Sequence, residues 1–243
     1  AWMAAGVKAA GFAAMMRVFV LTFGTHVSDW QPAFQMIAAA TVLVGAVVAV
    51  VQTDVKRMLA YSSIVHAGFI LVGLQAATDR GNSSVLAYLA VYALLTVGSF
   101  AVVTVVGGTG DSAHGLDSYR GLGQRRPLLA GAFTVLLLGQ AGIPFTGGFV
   151  VKLGVLAAAV NAGAYWLAGV AMLAAAVAAF VYLRVLVAMY LEETPTGSEA
   201  PAAIPVGALV VVVVSSAAIL LVGLIPGPLL ELARDAVPVL VAG

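Results

Sequence analysis

Long apolar segments separated by short polar ones form the main pattern of this chain. A helix needs about 20 apolar residues to cross ~30 Å of hydrocarbon, whereas a membrane strand needs only ~10 residues of alternating polarity. The apolar segments have the helical length. The pattern therefore predicts an all-α, polytopic bundle of about seven transmembrane helices, over residues 2–24, 33–51, 58–77, 83–107, 127–160, 163–190 and 204–225.

The fifth apolar segment is too long for one straight helix. Gly142, Pro144 and Gly148 lie near the middle of residues 127–160. Proline lacks an N–H group and glycine favours non-helical backbone, so the segment is expected to form two half-helices joined by an unwound stretch. Backbone of this kind is tolerated at membrane depth only where protein or water satisfies its polar groups.

Composition supports a membrane protein and excludes several other classes. Hydrophobic residues make up 63% of the 243, charged residues 9%, and the mean hydropathy is +1.11. Without cysteine there is no disulfide or thiolate site, and the three scattered histidines lack metal-ligand spacing, so no metal is expected. The net charge of +1 gives no indication of nucleic-acid binding, and none is expected. The chain is apolar from its first residues without signal-peptide features, so we expect an N-terminal region to precede it.

Basic residues predict the orientation of the bundle. One set of loops and span ends carries six of them and the other set carries only Arg80 and Arg234. By the positive-inside rule the first set lies in the cytoplasm, and the C-terminal tail then lies outside. The six are Lys56, Arg57, Arg120, Arg125, Arg126 and Arg184.

Two lysines within apolar segments are the first candidates for function. A charge at the centre of a bilayer costs at least a few kcal/mol, so it is rare and usually functional. Lys152 follows the predicted helix break, and the combination indicates an ion path; the alternative is a side chain that extends to the interface. Lys8 lies ~10 Å along the first helix, and the residues alone leave both interpretations open for it.

Polar residues in the third and fourth segments form a second group of candidates. Ser62, Ser63 and His66 could hold water and pass protons at the cytoplasmic entrance, or serve only as hydrogen-bonding groups between helices. Tyr88, Tyr92 and Thr96 follow at intervals of four residues and share one helix face. For each of these singly, a structural hydrogen bond is the simpler interpretation.

Two motifs resemble a known family. Residues 52–64 (QTDVKRMLAYSSI) resemble the signature of the antiporter-like subunits of respiratory complex I and of the Mrp cation/proton antiporters. The stretch from Gly142 to Lys152 is similar to the second broken helix of that family. Its lysine resembles the subunit N type, whose mitochondrial counterpart is subunit 2, because the subunit M type has a glutamate there. Lys8 with Phe12 and Arg17 is similar to the central-lysine helix of the N type, and Tyr92 stands where the subunit L type tends to have histidine.

The resemblance implies a particular domain organisation. Members of the family have fourteen helices with two inverted repeats, so the seven predicted spans correspond to the second half. Residues 1–24 would be the last helix of the first repeat, and residues 25–190 the second repeat with its broken helix at 127–160. Residues 191–243 would form a C-terminal transmembrane helix and tail.

The resemblance also implies a function. It predicts a non-redox, proton-translocating subunit of an NADH:quinone oxidoreductase in a bacterial inner membrane, with Lys8 as the central lysine and Lys152 as the terminal lysine toward the outside. His66 would lie near the proton entrance, with Ser62, Ser63 and Tyr92 supporting transfer. FMN, iron–sulfur clusters and quinone are expected in other subunits and no cofactor in this chain. The expected partners are an M-type neighbour, small membrane subunits and lipid.

Two alternatives remain at this point. The chain could be a cation/proton antiporter subunit of the Mrp type, although a cation site usually includes a carboxylate and no acidic residue lies in the middle of a predicted span. A purely structural membrane scaffold would leave both lysines unexplained.

Overall fold

The computed structural model describes residues 3–108, 114–194 and 204–242. The described residues form an all-helical bundle without β-strands, apart from one isolated antiparallel bridge between Asp54 and Gly115. Within these described ranges, six segments are able to cross a membrane by length and composition: Ala5–Thr22, Gly24–Val50, Val55–Leu74, Asp79–Gly107, Tyr165–Leu191 and Val206–Leu224. Two shorter apolar helices, Pro127–Ala141 and Gly147–Asn161, form the predicted broken span. The predicted all-α fold is thus confirmed.

The first four helices are joined by short connections. Helix α1 (Lys8–Met16) is flanked by π-helical turns at Met3–Val7 and Arg17–Thr22. A 3-10 turn at Gly24–His26 precedes three long helices: α2 (Val27–Val50), α3 (Val55–Leu74) and α4 (Asp79–Gly107). Helix α2 begins six residues before the predicted start at residue 33 and includes Pro32 near its N-terminus. Pro32 lies just beyond the first four residues, whose N–H groups have no intrahelical partner, so its missing N–H removes one helical hydrogen bond from the second turn.

The second part of the chain contains the broken span and a C-terminal helix that was not predicted. A 3-10 turn at Leu116–Tyr119 precedes five further helices and one short one: α5 (Leu122–Arg125), α6 (Pro127–Ala141), α7 (Gly147–Asn161), α8 (Tyr165–Leu191), α9 (Val206–Leu224) and α10 (Gly227–Ala242). The sequence had indicated only a tail for this last segment. Its alternation of Leu with Glu231, Arg234 and Asp235 makes α10 amphipathic rather than continuously apolar.

Polar contacts define two ends of the bundle. At one end the connection after α4 reaches the α2–α3 turn, because Val55 N donates to His114 O over 2.8 Å and Leu116 N donates to Thr53 O over 2.9 Å. The C-terminal part of α8 joins them, since Arg184 Nη1 donates to Val50 O over 2.6 Å. We call this end the basic face, because the six basic residues of the larger set lie at it, and the other end the opposite face.

Small residues allow the helices to pack closely. A Cβ atom on Gly68 of α3 would lie 2.5 Å from Val42 Cγ1 of α2, and one on Gly45 would lie 2.9 Å from Val65 N. Helix packing in a membrane depends on such close approach, since lipid and side chains are equally apolar. Helix α3, which carries several polar side chains, lies between α2 on one side and α4, α7 and α8 on the others.

Two contacts stabilise the basic face. The Asp54 carboxylate accepts a hydrogen bond from Arg57 N over 2.8 Å and so caps the N-terminus of α3. The Tyr119 side chain is fully buried beside Phe133, at a centroid distance of 5.9 Å. Burial, reinforced by the negative charge of Asp54, raises the pKa of Tyr119 well above its usual range, so the phenol is held neutral.

Candidate functional site

The break between α6 and α7 is built from specific backbone conformations. Helix α6 ends at Ala141, and Gly142 follows in the left-handed region at φ 81°. Phe145 is also at positive φ, 69°. Helix α7 starts anew at Gly147, with the Thr146 hydroxyl accepting a long hydrogen bond of 3.4 Å from Phe149 N. The last carbonyls of α6 consequently have no helical partner and are available to another donor.

Lys152 donates to those carbonyls. Its Nζ atom lies 2.7 Å from Gln140 O and 2.9 Å from Ala141 O, and 5.1 Å from the centre of the Phe69 ring. Only 6% of the residue is exposed, so the side chain does not extend to an interface. The C-terminal end of a helix carries partial negative charge, which favours a cation there. These hydrogen bonds join Lys152, a residue of the second half-helix, to the end of the first half-helix.

The glycines of the break have distinct steric roles. A Cβ atom on Gly148 would overlap Gly139 O, so α6 and α7 touch backbone to backbone at this point. A Cβ atom on Gly142 would lie 2.7 Å from Lys152 Cδ, and its positive φ already favours glycine. Pro144 is exposed in the connection itself. The predicted residues Gly142, Pro144 and Gly148 therefore do lie at the break.

Lys8, the first residue of α1, extends its side chain toward α3 and α4. Its Nζ atom donates to Ser63 O over 2.6 Å and to Ser63 Oγ over 2.8 Å. It also lies 3.4 Å from the Tyr92 hydroxyl and 5.4 Å from the centre of that ring. These partners are distant in sequence, so they could not be identified from the residues next to Lys8. Unlike Lys152, Lys8 is only partly buried.

His66 lies deeper in the bundle than predicted. It was expected early in its span, at the entrance, but α3 begins at Val55, so His66 is near the middle of that helix and only 3% exposed. Its Nδ1 atom is 2.8 Å from the Tyr88 hydroxyl, and its ring centre is 5.1 Å from that of Tyr92. Tyr88 in turn stacks on Phe69 at 6.3 Å.

These contacts form a continuous aromatic connection between the two lysines. Lys8 contacts Tyr92, Tyr92 contacts His66, and His66 contacts Tyr88. Tyr88 then contacts Phe69, whose ring lies beneath the Lys152 ammonium. The contacts on α3, Ser63 for Lys8 and Phe69 for Lys152, are six residues apart, which corresponds to ~9 Å along the helix axis. Lys8 is therefore nearer the basic face and Lys152 nearer the opposite face.

A second connection between the lysines is polar. The Ser62 hydroxyl donates to Gln140 Oε1 over 3.1 Å and also contacts the Tyr182 hydroxyl, while Gln140 Nε2 donates to Ser99 Oγ over 2.7 Å. This group and the Lys8 partners line one small void that is too narrow for a water molecule; its polar lining comprises Ser62, Ser63, Tyr92, Thr96, Ser99 and Gln140. Ser62, Ser63 and His66, expected to act as one cluster, thus each have a different partner.

Sequence reasoning missed several members of this group. Gln140, Ser99 and Tyr182 are all buried and were not singled out. For Gln140 a signal was present, because an amide in an otherwise apolar segment, directly before a Gly-Pro break, needs hydrogen-bond partners. Ser99 and Tyr182 gave no such signal, since single hydroxyls are common in membrane helices.

Beyond Lys152, toward the opposite face, a tightly packed apolar layer comes before a group of amides. A Cβ atom on Gly73 would lie 2.8 Å from side-chain atoms of both Val155 and Val85. Past this layer Gln75 is fully buried; its backbone carbonyl accepts from Gln31 Nε2 over 2.9 Å, and its Oε1 atom accepts from Gln35 Nε2 over 3.0 Å. The polar interior around Lys152 is therefore separated from the opposite face by side chains of valine.

Carboxylates are arranged differently from the lysines. Those that the structure describes lie in first helical turns, at caps, in connections or on α10: Asp29, Asp54, Asp79, Asp117, Glu192, Glu193, Glu231 and Asp235. Among the described residues (3–108, 114–194 and 204–242), the charged side chains that form hydrogen bonds inside the bundle are thus cationic.

Among the described residues, a helical bundle with a broken span, whose freed carbonyls bind a buried cationic side chain, is typical of a polytopic membrane protein with a discontinuous helix. The chain belongs to the family described as NADH:quinone oxidoreductase/Mrp antiporter, whose sequence model matches residues 1–178. The resemblance drawn from the two motifs is thereby confirmed.

Individual relatives agree with this assignment. The chain is 46% identical to NADH-quinone oxidoreductase subunit N of Acidothermus cellulolyticus over 99% of its own length and 46% of that protein. It is 45% identical to the subunit N of Rhodococcus opacus over 97% of its length and 44% of the relative. The chain thus spans about half the length of the curated relatives it matches.

Solved structures show the same fold. A chain of respiratory complex I from Thermus thermophilus with bound aureothin matches with a TM-score of 0.72 and 33% identity, over 82% of this chain and 45% of that one. A chain of the Mrp complex from a Dietzia species matches with a TM-score of 0.84 over 94% of this chain and 50% of that one. At 23% identity, the second match shows the fold alone.

Proposed function

We propose that this chain is part of a proton-translocating membrane subunit of an NADH:quinone oxidoreductase, with Lys8 and Lys152 as its proton carriers. The observation that carries the proposal is the buried Lys152 ammonium on the carbonyls of Gln140 and Ala141. An ammonium there has little water to solvate its charge, so its protonation responds strongly to nearby charges.

The polar and aromatic groups between the lysines provide the transfer path in this proposal. In this proposal Ser63 and Tyr92 exchange protons with Lys8, to whose ammonium they are hydrogen-bonded. Two routes then lead toward Lys152: one through His66 and Tyr88, the other through Ser62 and Gln140. Each hydroxyl or imidazole can accept one proton and donate another, whereas the amide of Gln140 orients its neighbours. Water molecules would complete the gaps that exceed hydrogen-bond distance.

Energy for transfer comes from outside this chain in the proposal. Moving one proton against 100 mV requires ~2.3 kcal/mol. A positive charge that approaches Lys152 disfavours its ammonium form and promotes release of the proton. We propose that neighbouring membrane subunits supply this charge, that FMN, iron–sulfur clusters and quinone are bound by other subunits, and that the subunit itself performs no redox step.

Orientation follows from the charge distribution. We propose that the basic face is cytoplasmic and the opposite face, including α10, lies outside a bacterial inner membrane. Lys8 is then the carrier nearer the proton source and Lys152 the carrier nearer the exit. The apolar layer of Gly73, Val85 and Val155 is the barrier that must hydrate before a proton leaves.

Substitution of Lys152 in the full-length subunit within its complex tests the proposal. Sealed vesicles allow NADH:quinone turnover and proton uptake to be recorded on one sample. We expect Lys152→Ala to lose proton uptake with the complex assembled, and Lys152→Arg to lose it too, because an arginine keeps the charge but does not release its proton. Lys56→Ala, at the basic face, is the matched control. Normal proton uptake in Lys152→Arg would mean that Lys152 is only a structural cation and not a proton carrier.

A cation/proton antiporter subunit of the Mrp type is the second candidate. It is favoured by the family description, which includes both classes. The distribution of carboxylates disfavours it, because Na⁺ sites normally include anionic or carbonyl oxygens free of a competing ammonium, and here Lys152 binds the carbonyls of the break. Sodium-driven proton movement in vesicles without quinone would favour this candidate over the first.

A further inference from the structure

A large cleft at the opposite face is separate from the lysine site. Its volume is about 960 Å³, and its walls come from the start of α4, the exposed side of α7 and α10. Helix α10 packs across α4 at this end of the bundle, so the cleft lies where the apolar spans end. Its size is within the range of ~300–1,000 Å³ that ligand pockets have in proteins.

One part of the cleft is apolar and continuous with the surface of the bundle. Phe149 and Leu153 of α7 are 36% and 53% exposed, and both line the cleft together with Leu230 and Val237 of α10. These α7 residues belong to the half-helix that starts at the break, so the apolar wall extends toward the middle of the bilayer. The wall therefore offers an apolar surface that suits a hydrocarbon chain.

The other part of the cleft is polar and carries net positive charge. Arg80 and Arg234 line it together with the hydroxyls of Ser83 and Ser84, and Asp79 supplies the only carboxylate of the lining. Within the residues that the structure describes, neither arginine is in an ion pair or a side-chain hydrogen bond. Guanidinium groups bind phosphate oxygens through paired N–H donors, so two of them in one cleft suit a phosphate group.

Small residues keep the space between these two parts open. Gly154 and Ala157 of α7 line the cleft, and a Cβ atom on Gly154 would lie 3.2 Å from Ser84 Oγ. A larger side chain at either position would fill the passage between the arginines and the apolar wall. An occupant must consequently combine an anionic group with hydrocarbon in one molecule.

We propose that this cleft binds an anionic phospholipid, with its phosphate between Arg80 and Arg234 and an acyl chain along Phe149 and Leu153. Charge complementarity and the position of the arginines at the end of the spans favour lipid over a soluble anion. The apolar wall favours it further, because inorganic phosphate would make no use of that surface. A bound lipid would fix α10 against α4 and α7 and so stabilise the part of the bundle beside the break.

Lipid retention by the intact complex, carrying the full-length subunit, tests the proposal. The probe is a photoactivatable phosphatidylglycerol in nanodiscs of otherwise neutral phosphatidylcholine. We expect cross-links on α7 and α10, and a reduction of about thirtyfold in Arg80→Gln/Arg234→Gln, because both positive charges that attract the anionic headgroup are removed. Lys56→Gln/Arg57→Gln removes two charges from the other end and is expected to leave this labelling unchanged.

A second variant tests the apolar half of the cleft without removing charge. Ala157→Phe is expected to reduce labelling while both arginines remain, and millimolar phosphate is expected not to displace the probe. Unchanged labelling in both variants, displacement by phosphate, or cross-links to a protein segment that covers the cleft would each overturn the proposal. Content of the other subunits in each preparation shows that the complex has assembled.

Discussion

The Lys152 ammonium lies 2.7 Å from the backbone carbonyl of Gln140, so the second half of the broken span is joined to the first by a charge–dipole contact. The same residue, Gln140, extends its side chain toward Ser62 and Ser99. Main chain and side chain of one residue thereby connect Lys152 to two different groups. The backbone carbonyl of Gln140 therefore holds the Lys152 ammonium in place, while the Gln140 side chain belongs to the proposed transfer path.

Gln140→Met tests the side-chain role of Gln140 alone. The backbone carbonyl for Lys152 remains, but the hydroxyls of Ser62 and Ser99 lose their amide partner, at a cost of about 1–3 kcal/mol for an unsatisfied buried group. We expect the complex to assemble with a lower thermal transition and a reduced rate of proton uptake in sealed vesicles.

Gln52→Met is the matched control for that substitution. Gln52 lies at the end of α2, where its amide donates to Val48 O of its own helix over 3.1 Å, far from both lysines. We expect this variant to pump normally. Equal losses in the two variants would mean that the Gln140 side chain has no special part in transfer.

Tyr88→Phe tests the aromatic connection. The substitution removes the hydroxyl 2.8 Å from His66 Nδ1 but leaves the ring that stacks on Phe69. General acid–base groups contribute ~10²–10⁴-fold to proton transfer, and the parallel polar connection would reduce that loss, so we expect uptake to fall about tenfold with little change in assembly.

The combination of Tyr88→Phe with Gln140→Met determines whether the two connections act in parallel. If they do, the double variant loses far more activity than the product of the single losses predicts, because each route compensates for the other. Tyr165→Phe, at an exposed position, serves as the tyrosine control. A fully active Tyr88→Phe variant would exclude the hydroxyl from the path.

Gly148→Ala tests the packing of the break. An added Cβ atom would overlap Gly139 O, and because that atom is backbone the two half-helices must move apart. Overpacking of this kind costs about 1–3 kcal/mol and would displace Lys152 from its carbonyls. We expect poor assembly and no proton uptake in whatever complex forms.

Gly131→Ala is the control for the glycine substitution. Gly131 lies in α6 with open space where its Cβ atom would be. Alanine in the middle of a helix is favoured over glycine by about 0.5–1 kcal/mol, so assembly should be unchanged or improved. Normal assembly and pumping in Gly148→Ala would show that α6 and α7 tolerate separation.

Sequence alone was sufficient where the relevant residues are close in the chain. A span must satisfy its backbone polar groups internally, so apolar length predicts membrane helices well, and Lys152 is only a few residues after the break that frees its partners. Lys8 was different, since its partners Ser63 and Tyr92 are 55 and 84 residues away. Such contacts depend on which helices pack together, and hydrophobic periodicity in nearly uniform apolar segments does not contain that information.

Tyr119→Phe tests the connection at the basic face through the pH dependence of stability. The Tyr119 hydroxyl is buried and has no hydrogen-bond partner among the residues that the structure describes. Removing it should therefore leave the thermal transition near pH 7 unchanged or slightly raised. Burial raises the pKa of Tyr119 in the folded state, whereas an unfolded tyrosine ionises near about pH 10.

The sign of the pH effect follows from that difference. Below about pH 10 the Tyr119 phenol is neutral in both the folded and the unfolded state, so it adds no pH dependence to stability. Above that pH the phenol ionises only in the unfolded state, so the free energy of unfolding decreases as the pH rises. We expect the gap between Tyr119→Phe and the unsubstituted complex to widen in favour of phenylalanine from pH 9 to pH 11, measured as thermal transitions in detergent. Parallel pH profiles for Tyr119→Phe and the unsubstituted complex would mean that Tyr119 reaches water in solution.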